Sequence, residues 1–423
     1  MPPLPRAIWI LAAGRLLSQL GNGFVLFYAP IFFVNQVGLS ATLVGLGLGS
    51  AQQSTGILGR VLGGTMADSP NWGRRRTLLL SAAVSAIADV ALLLSGNFPL
   101  FLLGNLLMGL GIGLYWPATE AAIADLAPAE QRNEAFAITR LADSIGLSLG
   151  TACGGLLLAS AINGRWLFVV DGISFVVFFG VIYFAIAETF HFEGHDAELP
   201  WWQTWREAFG DLRLQIYIAV NILFTAFISQ TQTTLPLYLR NFVSGLQDLA
   251  LSDWLAGIVG IESNLSVDGI VGILFSGHIL LMVLVQLPVA RWLNRFRHCQ
   301  ALMFSQICWG LGFIPVWLAG TQVDLALPAA IAALACFSLA IVAYTPAAST
   351  LVIEIAPTRL RGVYLAINSL CWAVGYFIGP PLGGWALDRD VRDLFWVGCA
   401  IVPLFGIAVL SWLDRLVVRR EQV

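Results

Sequence analysis

The sequence predicts an all-α membrane protein whose twelve transmembrane helices form two pseudo-symmetric six-helix bundles. Three observations support this fold class. Hydrophobic residues make up 58% of the 423 residues and charged residues only 11%, and the mean hydropathy is +0.80. Apolar runs long enough to cross about 30 Å of hydrocarbon as a helix recur along the whole chain. The second half also repeats residues of the first half at a constant spacing.

Twelve apolar runs reach the length of about 20 residues that a membrane crossing requires. Short turn-like segments separate most of them. A longer external segment, 241–266, follows the seventh and is interpreted as a flexible surface loop rather than a gate. The first run is interpreted as a retained helix rather than a signal peptide. The predicted spans are 7–34, 40–66, 77–96, 99–125, 134–161, 165–187, 213–239, 267–293, 299–319, 325–352, 362–386 and 393–416.

The arginines predict how the chain is oriented. Most of them, including the cluster Arg74–Arg76, fall in loops on one side of the predicted membrane, and few, such as Arg165 and Arg240, fall on the other. Cytoplasmic loops carry the excess of positive charge, so both termini are expected in the cytoplasm and the protein in the plasma (cell inner) membrane. The predicted domains are an N-terminal bundle at 1–190, a cytoplasmic linker at 191–212 and a C-terminal bundle at 213–423.

An internal repeat relates the two halves without gaps. Adding 229 to the residue number carries Tyr115 onto Tyr344 and Pro117 onto Pro346. The same offset carries four glycines of the fifth span onto four glycines of the eleventh. The chain is therefore predicted to be two parallel repeats, with a solute site expected near mid-membrane between them.

A motif between the second and third spans carries the family resemblance. It reads Gly64-Thr-Met-Ala-Asp68 followed by Gly73-Arg-Arg-Arg76. Together with the repeat, it resembles the loop signature of the major facilitator superfamily, G-x-x-x-D-R-x-G-R-R, and the likeness extends over nearly the whole chain. This copy has two extra residues before Gly73, and Ser69 stands where the family usually has arginine.

The resemblance implies that this loop is a conformational latch. An aspartate can stabilise the positive N-terminus of a neighbouring helix, and arginines can pair with acids. In the family's outward-facing state, Asp68 would meet the start of the eleventh span and the arginine cluster would approach Asp125. The alternative is that these arginines only follow the positive-inside rule. The predicted latch residues are Gly64, Asp68, Gly73, Arg74, Arg75, Arg76, Asp125, Arg132 and Arg361.

The fifth and eleventh spans resemble a second family motif, G-x-x-x-G-P-x-x-G-G. The eleventh span has Pro380 at the proline position, whereas the fifth has Thr151. Small residues let two helices approach closely and pivot. In this family the fifth-span version marks the twelve-helix drug/proton antiporter branch, although close packing alone is the alternative. The predicted helix-pivot residues are Gly146, Gly150, Gly154, Gly155, Gly375, Gly379, Pro380, Gly383 and Gly384.

Ionisable side chains inside predicted spans are candidate functional groups, because burying a charge in lipid is costly. Three arginines and three acids are found in the first half, and their charges sum to zero: Arg15, Arg60, Asp89, Glu120, Arg140 and Asp143. Glu120 is the first candidate for proton coupling, with Asp143, Arg140 and Asp89 as further candidates. Structural pairing is the alternative for each of them. In the second half, His278 is expected to make a structural hydrogen bond.

Polar faces and aromatic side chains predict a solute cavity. Helical periodicity places polar residues on one side of the first and seventh spans, and the family builds its cavity mainly from spans one, four, seven and ten. Such a mixture would suit amphipathic organic molecules, although packing is the alternative for each aromatic ring. The candidate cavity residues are Arg15, Asn22, Tyr115, Trp116, Asn221, Thr225, Ser229, Gln232, Tyr344, Trp372 and Tyr376.

The leading functional hypothesis is a secondary transporter, not an enzyme, that exports small organic compounds against proton entry by alternating access. The sequence contains no phosphate-binding loop, no metalloprotease motif and no basic face for nucleic acid. We expect a monomer in the lipid bilayer without cofactor or metal. One alternative is uptake or facilitated diffusion of a metabolite or organic anion, bound by Arg15 and Arg140. A transport-dead membrane sensor is a more remote alternative.

Overall fold

A computed structural model describes the protein in nine segments, and all regular structure within them is helical. Of the predicted linker at 191–212, the structure describes residues 201–212. The predicted loop at 241–266 is described up to residue 247, and the remainder lies outside the described residues. The described residues are 4–69, 71–128, 131–159, 163–189, 201–247, 267–293, 295–357, 360–389 and 391–421.

The first six membrane helices follow the predicted spans to within a few residues. Their bounds are Arg6–Leu26 (α1), Gln52–Ala67 (α2), Gly73–Leu94 (α3), Phe98–Leu126 (α4), Arg132–Ala159 (α5) and Trp166–Ala185 (α6). After a short turn, α1 continues as Ala29–Asn35. The helix Ala41–Gly45 and a π-helical segment, Leu46–Ala51, lead into α2.

The second six membrane helices also follow the predicted spans to within a few residues. Their bounds are Leu212–Gln232 (α7), Val267–Leu293 (α8), His298–Thr321 (α9), Ala326–Ile355 (α10), Arg361–Leu387 (α11) and Arg392–Glu421 (α12). A short helix, Trp201–Phe209, precedes α7, and Thr234–Phe242 continues it. Under the repeat offset of the sequence, the end of α4 at Leu126 maps onto the end of α10 at Ile355.

Ten helices of the described residues are long and apolar enough to cross a membrane. The two other predicted spans are α2 and α5, which are less apolar because they carry polar side chains such as Gln53 and Arg140. Large apolar side chains such as Phe184 (87% exposed) and Leu404 (65% exposed) face outwards, as expected for a surface in contact with lipid. The predicted fold class is confirmed.

The chain divides into two compact units. Unit 1 contains Met1–Glu193 and Glu262–Ser276, and unit 2 contains Gly194–Ile261 and Gly277–Val423. In unit 1, Ile8, Leu78 and Ile182 belong to one buried hydrophobic cluster. In unit 2, the rings of Trp309, Phe313, Phe337 and Trp396 pack together, with successive centroids 4.9–5.9 Å apart.

In unit 1, α1 and α5 touch backbone to backbone. A Cβ on Gly146 would lie 2.2 Å from the carbonyl oxygen of Leu16, and a Cβ on Gly150 would lie 2.0 Å from that of Leu20. From the opposite side, a Cβ on Gly23 would lie 2.6 Å from the carbonyl oxygen of Leu147. Only glycine permits this approach, because backbone atoms cannot move aside as the end of a flexible side chain can.

In unit 2, α7 and α11 repeat the arrangement, but hydroxyl groups fill the space. A Cβ on Gly375 would lie 2.1 Å from Oγ1 of Thr225, and a Cβ on Gly379 would lie 1.9 Å from Oγ of Ser229. Thr225 also donates a hydrogen bond to the Cys371 carbonyl at 3.0 Å, so the contact is polar as well as close. Pro380 follows directly inside α11.

The start of α7 is held by a carboxylate. Asp211 accepts hydrogen bonds from the backbone N–H of Arg213 at 2.9 Å and from the Tyr364 hydroxyl of α11 at 2.9 Å. The Arg213 guanidinium adds a bond of 2.7 Å. Burial alone would raise the pKa of Asp211, but these hydrogen bonds hold the pKa below its usual value. This capping residue thereby ties α7 to α11.

Gly150→Ala is expected to destabilise the protein by about 1–3 kcal/mol, because its Cβ has no space beside Leu20. Gly180→Ala in α6 is the matched control, since nothing lies within 4 Å of a Cβ there. Alanine favours a helix over glycine by about 1 kcal/mol, so the control should be neutral or more stable. Thermal unfolding in detergent measures both variants. Equal effects of the two substitutions would contradict backbone contact at Gly150.

Candidate functional site

The loop between α2 and α3 contains the predicted latch motif, and its second glycine is required by the backbone. Gly73 has φ of +72°, a region that side chains disfavour. A Cβ there would also lie 2.4 Å from the Glu188 carboxylate. That carboxylate accepts hydrogen bonds from the backbone N–H groups of Arg74 at 2.9 Å and Arg75 at 3.2 Å. Glu188 therefore caps the N-terminus of α3, a role not predicted from the sequence.

Arg74 is the centre of the latch cluster in unit 1. Its guanidinium pairs with Asp68 at 2.8 Å and with Asp125 of α4 at 3.1 Å, and it also bonds the Ala67 carbonyl. Thr189 donates a further hydrogen bond to Asp125 at 3.1 Å. The expected approach of the arginine cluster to Asp125 is thus made by Arg74. One guanidinium joins the end of α2, the start of α3 and the end of α4.

The other predicted latch residues either lie near Arg74 or have side chains outside the described part of the structure. Arg75 bonds the Tyr183 carbonyl at 2.5 Å and stacks on the Tyr183 ring, and Arg76 bonds the Asn71 carbonyl at 2.6 Å. Nothing lies within 4 Å of a Cβ on Gly64. The side chains of Arg132 and Arg361 lie outside the described residues, so their part in a latch stays a prediction.

A buried ion pair joins α1 to α5. The Nε of Arg15 donates to Asp143 at 2.9 Å, and a second guanidinium nitrogen bonds the other carboxylate oxygen. The Arg15 side chain is 3% exposed and that of Asp143 16%. The guanidinium also lies 5.9 Å from the ring centroid of Tyr115 and 5.5 Å from that of Trp116. Charge pairing and cation–π contact together stabilise this buried cation.

A second, open ion pair lies beside the first. Glu120 accepts a hydrogen bond from Arg140 at 3.3 Å, and their side chains are 47% and 65% exposed. Arg140 and Asp143 are three residues apart on α5, so the two pairs use consecutive positions on one face of that helix. Four of the six predicted ionisable groups therefore form two Arg–carboxylate pairs.

Asp89 of α3 lies apart from these pairs. It is 1% exposed, and neither carboxylate oxygen has a hydrogen-bond partner among the described residues. Its electrostatic neighbour is Asp171 of α6, which is 2% exposed. Asp171 was not counted among the ionisable groups within the spans, so the expectation of a neutral sum is wrong. The signal was present in the sequence, because Asp171 interrupts an otherwise apolar run.

Several predicted cavity residues of unit 2 form a hydrogen-bond network. Tyr344 donates to Oδ1 of Asn221 at 2.6 Å, and Asn221 donates to Asn368 at 2.9 Å. Tyr217 donates to the same Asn368 oxygen at 2.5 Å. Asn368 and Tyr217 were missed by the sequence analysis. The network links α7, α10 and α11 at one level.

Other cavity candidates are distributed over both units. Thr225 and Ser229 are fully buried against α11. Tyr376 donates to Gln232 at 2.6 Å and stacks on Trp372, with ring centroids 6.2 Å apart. In unit 1, Asn22 donates to Gln19 at 3.0 Å. Whether these residues touch a solute stays a prediction.

The predicted structural hydrogen bond of His278 is present. One ring nitrogen lies 2.7 Å from the Ser338 hydroxyl and 3.0 Å from the Leu334 carbonyl of α10. The ring is buried and joins α8 to α10. This geometry favours packing over a part in coupling.

The apolar helices and the ion pair buried between two of them are features of a multi-pass membrane transporter. The family model of the Major Facilitator Superfamily matches residues 11–267 and 258–422. The chain belongs to this superfamily.

Relatives similar to this chain over nearly its whole length are named for drug resistance. Multidrug resistance protein MdtH of Edwardsiella ictaluri is 25% identical over 416 residues, covering 96% of this chain and 93% of the relative. The protein of the same name from Salmonella typhimurium is 26% identical over 415 residues, with the same shares covered.

Solved structures share the fold. A transporter of the POT family in complex with 5-aminolevulinic acid has a TM-score of 0.77 at 13% identity, covering 98% of this chain and 97% of that chain. The nucleoside transporter NupG, in a mutant form, has a TM-score of 0.75 at 13% identity, covering 96% and 100%. At this identity the likeness is evidence of the fold alone.

A double-mutant cycle of Arg15→Gln and Asp143→Asn is expected to show strong coupling between the two residues. Each single variant should lose about 3–5 kcal/mol of stability, because it leaves a buried charge unpaired, and the double variant should recover part of that loss. The exposed pair Glu120 and Arg140 is the matched control, with coupling expected below about 1 kcal/mol. Thermal unfolding in detergent measures both cycles. If the losses of stability in the two single variants simply added up in the double variant, Arg15 and Asp143 would not form a stabilising ion pair.

Asp68→Asn is expected to slow transport while leaving folding and insertion unchanged. Its side chain is 71% exposed, and an exposed ion pair contributes at most about 1 kcal/mol to stability. Solute flux in liposomes and thermal unfolding are measured side by side. Asp68→Glu keeps the charge and should retain more flux than Asp68→Asn. Wild-type flux in Asp68→Asn would exclude the latch role.

Proposed function

We propose that this transporter exports small organic compounds in exchange for protons, as a multidrug-type efflux antiporter working by alternating access. In this proposal it resides as a monomer in the plasma membrane, with both termini in the cytoplasm. The observation that carries the proposal is the buried pair of Arg15 and Asp143, bordered by Tyr115 and Trp116. The names of the relatives support the same substrate class.

The ion pairs offer a means of coupling proton binding to helix movement. A proton on Asp143 removes the negative charge that pairs with Arg15, so the main ionic attraction between α1 and α5 at that level is lost. At Gly146 and Gly150 the backbones of the same two helices meet without a side chain between them. Proton loading can therefore bias the packing of α1 on α5 between two arrangements.

Glu120 is the more accessible carboxylate and the first candidate to exchange a proton with water. Its side chain is half exposed, and its partner Arg140 is exposed further. Glu120 lies on α4 and Asp143 on α5. Arg140, the partner of Glu120, is one turn from Asp143 on α5, so a proton on Glu120 frees an arginine close to Asp143. In this proposal, Glu120 and Asp143 exchange protons, and their partners Arg140 and Arg15 respond to each change of charge.

The aromatic groups suit the proposed substrates. Tyr115 and Trp116 in unit 1, and Trp372 and Tyr376 in unit 2, are partly exposed rings beside polar groups. Such surfaces bind flat or amphipathic organic molecules by apolar contact and retain hydrogen-bonding capacity. A cationic compound would also be attracted by the faces of these rings.

Uptake or facilitated diffusion of an organic anion is the second candidate function. It requires Arg15 or Arg140 to bind the anion, but both guanidinium groups are paired with carboxylates. An anion would have to displace Asp143 or Glu120 from its arginine. The pairing therefore favours proton exchange over anion binding.

Glu120→Gln is expected to abolish transport driven by a pH gradient while preserving substrate binding, since the amide cannot release a proton. Asp143→Asn should give a partial defect. Flux is measured in liposomes containing a pH-sensitive dye, with a panel of toxic organic compounds, and binding by tryptophan fluorescence.

Glu134→Gln is the matched control, because Glu134 is an exposed glutamate in the first turn of α5 without a coupling role in this proposal. Unchanged gradient-driven flux in Glu120→Gln would remove Glu120 from the mechanism. The same result for Asp143→Asn and Asp89→Asn as well would favour a uniporter.

A further inference from the structure

We propose that Asp89 of α3 and Asp171 of α6 form a proton-binding site separate from the Arg–carboxylate pairs. The two residues lie at the same depth. Asp89 is five residues before the end of α3 and Asp171 five residues after the start of α6. At 1.5 Å per residue, each carboxyl is about 8 Å inside its helix end. The proposed orientation places that end on the outer side.

Both carboxyls point into the contact between helices. A Cβ on Gly172, the residue after Asp171, would lie 3.3 Å from Cβ of Asp89 and 3.9 Å from its Oδ2. A Cβ on Gly21 of α1 would lie 2.6 Å from Oδ1 of Asp171. Glycines on α6 and α1 thus make the space that the two acids occupy. The acids are enclosed by packed helices.

The Asp89 carboxyl lacks what a buried carboxylate requires. Both its oxygens are inaccessible and without a hydrogen-bond donor among the described residues. From the described residues, the Asp171 carboxyl receives one long bond of 3.4 Å from the Ser174 hydroxyl, which donates mainly to the Asp171 backbone carbonyl at 2.7 Å. Buried polar groups in proteins are almost always paired, so an unpartnered carboxyl indicates a missing ligand.

Within the described segments, no arginine or histidine forms an ion pair with either acid. The neighbouring stretches 16–35 of α1, 41–59 before and within α2, and 98–119 of α4 contain no charged residue. Arg165, at the start of α6, donates instead to the carbonyls of Leu93 and Ser95, at 3.2 Å for Ser95. Tyr28, which follows α1, donates to the Thr151 carbonyl of α5 at 2.7 Å.

The chemistry favours a proton over a metal ion as the ligand. Two ionised carboxylates buried on neighbouring helices of an apolar interior repel, and each loses the solvation of its charge. Hard metal cations take about six oxygen ligands. In the described part of the chain, the one side-chain hydrogen bond to either carboxyl comes from the Ser174 hydroxyl, and there is no cluster of three or more acidic, histidine or cysteine side chains that could hold a metal. A bound proton removes a charge and adds the missing donor.

This site would extend the proposed function. If protons drive export, a carboxyl pair about 8 Å from the outer end is placed to collect a proton there before it reaches Asp143 and Glu120. That role rests on the proposed antiport, whereas the binding of the proton does not. The test therefore measures the proton directly.

Infrared difference spectroscopy of the purified full-length protein in lipid nanodiscs reports protonated carboxyls by their carbonyl band. The wild type should show such a band, which shifts in heavy water and loses intensity as the pH is raised. Asp89→Asn and Asp171→Asn should each lose the band. Asp324→Asn, at an exposed acid outside the spans, should keep it.

Absence of the band in the wild type would overturn the proposal whether or not the variants fold. Its survival in both folded variants would also overturn it. Failure of proton-driven flux in wild-type liposomes would refute the proposed function but leave this spectrum unchanged, so the two failures are distinguishable.

Discussion

Backbone contact between α1 and α5 is the constraint on which the ionic centre of unit 1 depends. The Leu16 carbonyl lies over Gly146, so Arg15, one residue earlier on α1, meets Asp143, almost one turn earlier on α5. A side chain at Gly146 would separate the helices and with them the guanidinium and carboxylate. The glycine motif therefore has a consequence beyond close packing of two helices. It sets the distance at which a buried arginine finds its counter-ion.

The same motif has a different consequence in unit 2. Hydroxyl groups of Thr225 and Ser229 fill the space beside Gly375 and Gly379, and Gln230 donates to the Gly379 carbonyl at 2.6 Å. Polar side chains of α7 are thus engaged by the α11 backbone. Interhelical hydrogen bonds of this kind are worth about 1 kcal/mol each and carry no net charge. Close glycine contacts join a pair of helices in both repeats. The polar groups beside these contacts are charged in unit 1 and neutral in unit 2.

The spans, the repeat and the glycine contacts could be predicted because each depends on residue type and spacing along one segment. The partners of the charged groups depend on contacts between distant segments. Arg15 and Asp143 are 128 residues apart, and no periodicity within α1 or α5 identifies the pair. Glu188 was missed because it follows α6 in sequence yet caps α3. Polar residues were also expected in a cavity, whereas Thr225 is buried in a helix contact.

The distribution of charge distinguishes the two units in chemistry. Unit 1 holds Arg–carboxylate pairs and the two acids Asp89 and Asp171 within its helices, whereas His278 in unit 2 is engaged by Ser338 and a backbone carbonyl. Adding or removing a proton on a carboxylate changes its pairing, while a hydrogen-bonded asparagine or tyrosine network changes little with pH. Proton-dependent rearrangement is therefore expected to begin in unit 1. The hydrogen-bonded helices of unit 2 provide a framework with little pH dependence of its own.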